Sequence, residues 1–373
     1  MEQWTPTLRK CRRWMGGILF VSTLWFTSQS GFILLSVLYL PGFLFGLPSA
    51  QWIFDTLTSF WFAFAVGIYE LIYGVKIVIQ GDVRKLSKNR CSLIIMNHRT
   101  RLDWLLYFSV QARYGSLRRF KIALKDEIRH VPGAGWAMQA TQFLFLKRKW
   151  QIDKNRVDIT LKKFKQNSLP PQLLFFPEGT DFRGMSRQKS RDYAKKNELE
   201  DYEYVLHPRT LGFTSVVNNM KEYNNLDQIV DATVSYPRTM LQNETELVTG
   251  KIPREVVFTI HCYDLDQVPT ENEPKLIRWL EDRWQEKEEF LRCFYENKEY
   301  SDSNGYTKEQ NIEIERDTKL YLVGAILFWA LLIVFTLYYL MFSYGFRMVY
   351  GTTFMMCILL STCVGFDTLF SNI

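Results

Sequence analysis

The sequence predicts an α/β sheet-and-helix domain flanked by N- and C-terminal membrane helices, and three observations carry that expectation. Residues 14–54 run 41 positions without Asp, Glu, Lys or Arg, and residues 320–346 run another 27. Between these ends, short apolar runs alternate with segments of helical periodicity. The 373 residues are 47% apolar and 16% aromatic, which excludes a disordered or collagen-like chain, while the charge-free stretches exclude an ordinary soluble protein.

The N-terminal membrane segment spans residues 1–75. Its first apolar stretch would be about 60 Å long as a helix, twice what a bilayer core needs. Ser28-Gln29-Ser30-Gly31 reads as a turn near its middle, and Pro41 and Pro48 interrupt its second half, so a hairpin of two spans or a re-entrant pair is expected. The run is too long for a secretory leader. Residues 56–75, rich in Phe, Trp and Tyr, suit the membrane interface.

A catalytic region over residues 76–250 follows, with strands expected at 76–80, 92–96, 143–146, 173–176 and 230–235. Residues 251–318 form a C-terminal region and linker: a strand at 255–263, a helix over 273–296 whose Leu276, Leu280, Trp284, Leu291 and Phe294 recur at helical spacing, and a polar stretch from 297. Residues 319–373 read as a second membrane hairpin, 320–346 and 348–366, divided by Arg347.

The net charge is +7, and residues 76–319 hold 41 Lys and Arg against 35 Asp and Glu. This mild excess suits an anionic membrane face or a phosphate-bearing substrate. Cysteines 11, 91, 262, 293, 357 and 363 form no C-x-x-C pair, so neither a disulfide framework nor a zinc site is expected. Dinucleotide, Walker and G-x-S-x-G signatures are absent, and His261 and Cys262, neighbours on one strand, point to opposite faces.

Two segments stand out for chemistry. His98 follows an apolar strand, at the edge where α/β proteins bind ligands, and Asp103 comes five residues later in the first turn of a helix. In one reading the carboxylate holds one imidazole nitrogen and leaves the other as a general base. In the other, Thr100 and Asp103 form a capping box and His98 merely ends a strand. The second segment, Phe175-Phe176-Pro177-Glu178-Gly179-Thr180, also follows a strand: Gly179 permits a tight turn presenting N–H groups to an anion, Glu178 accepts hydrogen bonds from substrate hydroxyls, and the alternative is a plain surface turn. Lys125, Arg148 and Arg209 are further basic candidates.

Taken in order, Asn97-His98-Arg-Thr-Arg-Leu-Asp103, Val131-Pro-Gly-Ala-Gly-Trp136, the Arg148 segment, Phe176-Pro-Glu-Gly-Thr180 and Leu206-His-Pro-Arg209 resemble the glycerolipid acyltransferases of the lysophosphatidic acid acyltransferase superfamily. The resemblance covers roughly residues 80–296, and the stretches 125–139, 202–214 and 253–296 look most like its lysocardiolipin acyltransferase branch. It implies direct acyl transfer from acyl-CoA, a substrate, to a lysophospholipid hydroxyl, with no resident cofactor, no metal and no nucleic-acid partner. The acceptor would be lysocardiolipin, lysophosphatidylinositol, lysophosphatidylglycerol or lysophosphatidic acid.

By the same resemblance His98 is the general base and Asp103 its orienting partner. Glu178 and Gly179 hold the glycerol-phosphate end, Lys125, Arg148 and Arg209 contact phosphate, and Asn97, Arg101 and Thr180 complete the substrate-binding positions. One position departs: many members carry Arg after the Pro-Glu-Gly-Thr block, where this chain has Asp181, so Arg209 is the candidate to take over that contact. The rival readings are a thioesterase or lysophospholipid hydrolase, in which the same pair activates water, and a non-catalytic membrane interaction protein. The basic cluster Arg9, Lys10, Arg12 and Arg13 before the first apolar stretch points to a cytosolic N-terminus. A single crossing would put the catalytic domain in the lumen; with a hairpin or re-entrant segment after the cluster, the expectation is a multi-pass endoplasmic reticulum membrane protein whose catalytic domain faces the cytosol. Asn243-Glu244-Thr245 should then carry no glycan, and Cys262 and Cys293 should be reduced.

Overall fold

The structure, a computed structural model, describes residues 6–44, 48–166, 171–241, 244–296 and 314–369. Seven strands form one sheet: β1 (Lys76–Gly81), β2 (Ser92–Met96), β3 (Phe120–Lys125), β4 (Leu144–Leu146), β5 (Gln172–Phe175), β6 (Gln228–Ser235) and β7 (Glu255–Asp264). Their order is β1-β7-β6-β2-β5-β3-β4. All neighbours are parallel except β6 and β7, so β1 and β7 run against the other five.

The helices up to the middle of the sheet are α1 (Pro6–Leu44), α2 (Pro48–Gly67), α3 (Asp103–Leu106), α4 (Phe108–Arg113), α5 (Ala134–Ala140) and α6 (Trp150–Gln166). Then come α7 (Gly184–Lys196), α8 (Thr210–Glu222), α9 (Glu244–Val248), α10 (Glu273–Glu296), α11 (Arg316–Phe342), α12 (Tyr344–Cys363) and α13 (Phe366–Leu369).

The central strands are buried along their length, as a parallel sheet covered on both faces requires. In β2, Ile94 and Met96 join the core that contains residues of α2 to α5, while Leu93 and Ile95 join the core beneath α6, α8 and α10. This alternation sends one face of each strand to each helical layer.

Two expectations change here. The first apolar stretch does not turn at Ser28–Gly31: α1 runs unbroken from Pro6 to Leu44, about 58 Å, and α2 packs back along it, with Trp61 donating to Thr27 and Phe54 against Phe32. The small polar residues serve helix packing instead. Ser28 Oγ donates to the Trp25 carbonyl within the helix, Ser30 hydrogen-bonds Tyr350 of α12, and Gly31 lets the Trp329 ring of α11 approach so closely that a Cβ would lie 2.6 Å from it.

Residues 56–75, expected at the membrane interface, form a wall of the core beneath the sheet. Trp61 to Val66, Ile68, Tyr69 and Val75 are buried in it, and the segment is anchored by two buried ion pairs, Asp55–Lys121 (2.8 Å) and Glu70–Arg113 (2.6 Å). Removing one partner of such a pair costs about 3–5 kcal/mol, because it strands a charge out of water. In the C-terminal region, β7 lies inside the sheet between β1 and β6, and α10 covers one face.

By length and composition α1, α11 and α12, together with residues 51–72, are long and apolar enough to cross a membrane. Among them α11 and α12 turn large apolar side chains outward, Leu331, Val334 and Phe342 being more than 60% exposed. The break between these two falls at Ser343, whose Oγ caps α12 by accepting from Phe346 N (3.2 Å), while Arg347 reaches back to the last carbonyls of α11. Most of the polar stretch from 297, and Asn243, lie outside the described residues.

Candidate active site

Strands β2, β3, β4, β5 and β6 all end on one edge of the sheet, and the candidate residues of the sequence collect along it. His98 follows β2 and Asp103 opens α3, which places the imidazole Nδ1 3.0 Å from Asp103 Oδ2. The same carboxylate accepts the backbone N–H of Thr100 (2.9 Å), the Thr100 hydroxyl (3.1 Å) and the Tyr236 hydroxyl. Asp103 thus both closes the turn before α3 and fixes the imidazole, so the two readings of this pair hold together.

Asp103 is fully buried, whereas the His98 side chain keeps 14% of its surface open, and its ring stacks on Phe176 at 4.2 Å between centroids. With Nδ1 held by a carboxylate, Nε2 is the nitrogen left for substrate. Among the described residues no serine or cysteine side chain is hydrogen-bonded to His98.

The turn after β5 clamps the His98 peptide. Phe182 N donates to the His98 carbonyl (2.7 Å), while the Glu178 carboxyl lies near the His98 N–H. Glu178 itself is 2% exposed, with Oε1 accepting from Trp284 of α10 (3.3 Å) and the backbone of Leu206 also close to the carboxyl. Burial pushes its carboxyl up to about 8, against the opposing pull of the His98 N–H, Trp284 and Arg99. The expected role of taking substrate hydroxyls does not fit this position, because the carboxyl faces the interior.

Gly179 makes the tight turn at φ +70°, but its N–H is used within the turn, donating to the Phe176 carbonyl (2.9 Å), rather than offered to an anion. Its bare Cα instead supports Arg209: a Cβ there would lie 3.1 Å from Arg209 Cδ. Asn97 is also interior, its amide exchanging two hydrogen bonds with the Val234 backbone (3.1 and 2.8 Å), which prolongs the pairing of β2 with β6 beyond the strand end. Thr180 is half-buried on the turn.

The basic candidates form a rim around this centre. Lys125 ends β3 and pairs with Glu127 (3.0 Å), Arg148 follows β4, Arg209 precedes α8 with its N–H on the Pro177 carbonyl (2.7 Å), and Arg101 lies before α3. The Arg148 guanidinium is held below the ordinary arginine range by partial desolvation and then by the like charge of Arg209, which places these two together. Asp181 does not stand as an unopposed negative charge: it is paired with Arg183, and Arg101 lies 3.9 Å away.

Sequence reasoning missed three contributors. Tyr236, whose hydroxyl donates to Asp103, directly follows β6, and its place at a strand's carboxyl end was the available signal. Arg99, between His98 and Thr100, is buried with its guanidinium over Phe182 (4.7 Å) and Tyr295 (5.2 Å). Trp284 was read only as a packing residue, although its indole also reaches Glu178.

Residues 76–236 match the Acyltransferase family model and residues 246–329 the Acyltransferase C-terminus model. The chain is 43% identical to lysocardiolipin acyltransferase 1 of Gallus gallus over 78% of this chain and 76% of that protein. It is 37% identical to lysophosphatidylinositol acyltransferase 10 of Caenorhabditis elegans over 82% of this chain and 81% of that one. The crystal structure of the 1-acyl-sn-glycerophosphate acyltransferase PlsC from Thermotoga maritima superposes with a TM-score of 0.50 at 16% identity, covering 78% of this chain and 98% of that chain; at that identity the likeness concerns the fold. The two matched segments contribute strands to one sheet, β1 to β6 lying in the first and β7 in the second. With the histidine–carboxylate pair at the edge of that sheet and these relatives over most of its length, the chain belongs to the lysophospholipid acyltransferase family, a membrane-lipid acyltransferase with lysocardiolipin acyltransferases among its relatives.

Proposed function

We propose that this acyltransferase uses acyl-CoA as donor and an anionic lysophospholipid as acceptor, with lysocardiolipin the first acceptor to test and lysophosphatidylinositol the second. The observation that carries this reading is the His98–Asp103 contact of 3.0 Å in a site where, among the described residues, no serine or cysteine is hydrogen-bonded to the imidazole. Such a pair suits direct transfer. His98 Nε2 takes the proton of the acceptor hydroxyl as its oxygen attacks the thioester carbonyl, Asp103 stabilises the imidazolium, and the proton passes to the departing CoA thiolate. Glu178, being buried, acts by holding the His98 loop; Arg148, Arg209, Lys125 and Arg101 draw the phosphate of the acceptor to the rim.

Labelled acyl-CoA presented to the purified full chain with a panel of lysophospholipids tests the proposal. Label should move into diacyl lipid only when acceptor is present. Free acid released at the same rate without acceptor would instead make the protein a hydrolase.

The proposed setting is the endoplasmic reticulum, with the catalytic domain on the cytosolic side where CoA thioesters are made. Asn243 is the reporter, since an N-x-T site gains a glycan only in the lumen. No glycosidase-sensitive mass shift is expected; a shift abolished by Asn243→Gln would place the domain in the lumen.

A further inference from the structure

A second cationic site lies on the same edge of the sheet, on the opposite side of His98 from the Arg148–Arg209 rim. The segment after β6, the start of β7 and the residues before β1 all reach this edge, because β7 and β1 run against β6. Together with the first turns of α1 they enclose an open cleft of about 760 Å³, lined by Arg12, Arg13, Arg238, Lys251 and Arg254. All five are exposed, and among the described residues Arg12, Arg13, Arg238 and Arg254 form no side-chain hydrogen bond or ion pair. Of the nearby acids, Glu246 pairs with Lys251 of the cleft itself (2.8 Å), and Glu255 pairs with Lys76 outside it (2.9 Å).

The walls are built rather than incidental. A Cβ on Gly17 would lie 2.3 Å from the Leu247 carbonyl oxygen, and one on Gly250 would lie 2.0 Å from the Arg13 carbonyl oxygen, so α1 and the turn after α9 interlock through two glycines. Tyr73 adds a hydrogen bond to the Gly16 carbonyl (2.7 Å). Exposed guanidinium groups lining one cleft raise the local concentration of phosphate-bearing partners.

We infer that this cleft binds a phosphate-bearing part of a substrate that is remote from the reacting atoms. β7 is two strand spacings from β2, about 10 Å across the sheet, so the phosphate next to the acceptor hydroxyl cannot reach the cleft while that hydroxyl is at His98. A more distant phosphate can. Two sources share this chemistry: the nucleotide phosphates of a CoA donor and a second phosphate in the acceptor headgroup. The inference rests on the acyl-CoA and lysophospholipid reading above.

The test uses the full chain in bilayer discs of zwitterionic lipid and the variant Arg238→Gln/Arg254→Gln. Measured are KM and kcat with acyl-CoA, with acyl-CoA lacking its 3′-phosphate, and with acceptors bearing one or two phosphates, together with binding of inorganic pyrophosphate. The variant should raise the apparent KM of one phosphate-rich substrate roughly tenfold or more, keep kcat within about twofold, and weaken pyrophosphate binding in parallel. Loss of the preference for the 3′-phosphorylated donor identifies the donor; loss of the preference for the two-phosphate acceptor identifies the headgroup. Arg238→Lys/Arg254→Lys, which keeps the charge, should retain most of the parent's affinity and guards against misfolding as the cause.

Unchanged KM for every substrate with unchanged pyrophosphate binding would overturn the inference. So would an equal effect on all substrates seen only in discs containing anionic lipid, which marks general surface attraction. A parent protein inactive with acyl-CoA would instead defeat the proposed function, while pyrophosphate binding would still report on the cleft.

Discussion

Around Asp103 both carboxylate oxygens are engaged and the side chain is fully buried, whereas the Lys125 and Arg101 side chains on the rim are nearly half exposed, Lys125 paired with the exposed Glu127 and Arg101 3.9 Å from Asp181. The two regions differ in what disturbing them costs. Exposed ion pairs are worth about 0–1 kcal/mol and are readily exchanged for a substrate phosphate, whereas stripping a partner from a buried carboxylate leaves it with no solvent to turn to. The contrast teaches that the proton-transferring pair is set by the fold before substrate arrives, while the cations that draw the substrate in remain free to re-pair.

Replacing the centre should therefore break turnover, and replacing the rim should shift affinity. His98→Ala should lower turnover by a factor on the order of 10² to 10⁴ in a folded protein, and Asp103→Asn should be comparably severe because it loses the imidazolium partner. Near-normal transfer by a well-folded His98→Ala protein would remove the proposed mechanism. Arg148→Gln/Arg209→Gln should raise the acceptor's apparent KM by roughly tenfold or more with kcat little altered. If kcat fell instead, the rim would belong with the catalytic centre and the contrast would collapse.

Tyr236→Phe sharpens the boundary from the inside. It removes one donor from Asp103 while keeping the ring, so turnover should fall by about ten- to a hundredfold, the worth of a single hydrogen bond to a charged group. A steady-state rate equal to the parent's would restrict the working unit to His98, Asp103 and Thr100.

The smallest expected effect is on stability. Glu178 ionises near 4.5 when exposed and at about 8 in the folded protein, so the folded state binds its proton more tightly than the unfolded one. Its contribution is fully present below pH 4.5 and is lost as pH rises through about 8. Glu178→Gln, which mimics the protonated carboxyl, should flatten the decline in melting temperature across that window. Parallel pH profiles for parent and variant would show that the buried acid is not the group responsible.

Much of this was legible in the residues themselves. The strand ending at Met96 and the five-residue spacing of His98 and Asp103 anticipated the contact found, since both sit on one short, locally determined connection. β3 was overlooked although Phe120, Ile122 and Leu124 alternate with Lys121 and Lys125; a lysine on a strand reads as surface until Asp55, 66 residues away, appears as its buried partner. Glu178 and Asn97 were placed on the substrate side for a related reason: motif position reports the edge of the sheet but not which way each side chain turns.

The apolar ends show the same division. Composition alone settled that residues 14–75 and 320–366 shun water, because the free energy of exposing so many Leu, Phe and Trp side chains depends only on their number and type. It could not settle which of them meet lipid and which meet protein. Tertiary structure decided that residues 56–75 are a wall of the core beneath the sheet, held by Asp55–Lys121 and Glu70–Arg113, and that α11 and α12 keep their apolar faces outward. Hydrophobicity has no direction, so the choice of partner falls to the few charged and small residues whose complements lie far away in the chain, and those meet only once the sheet has formed.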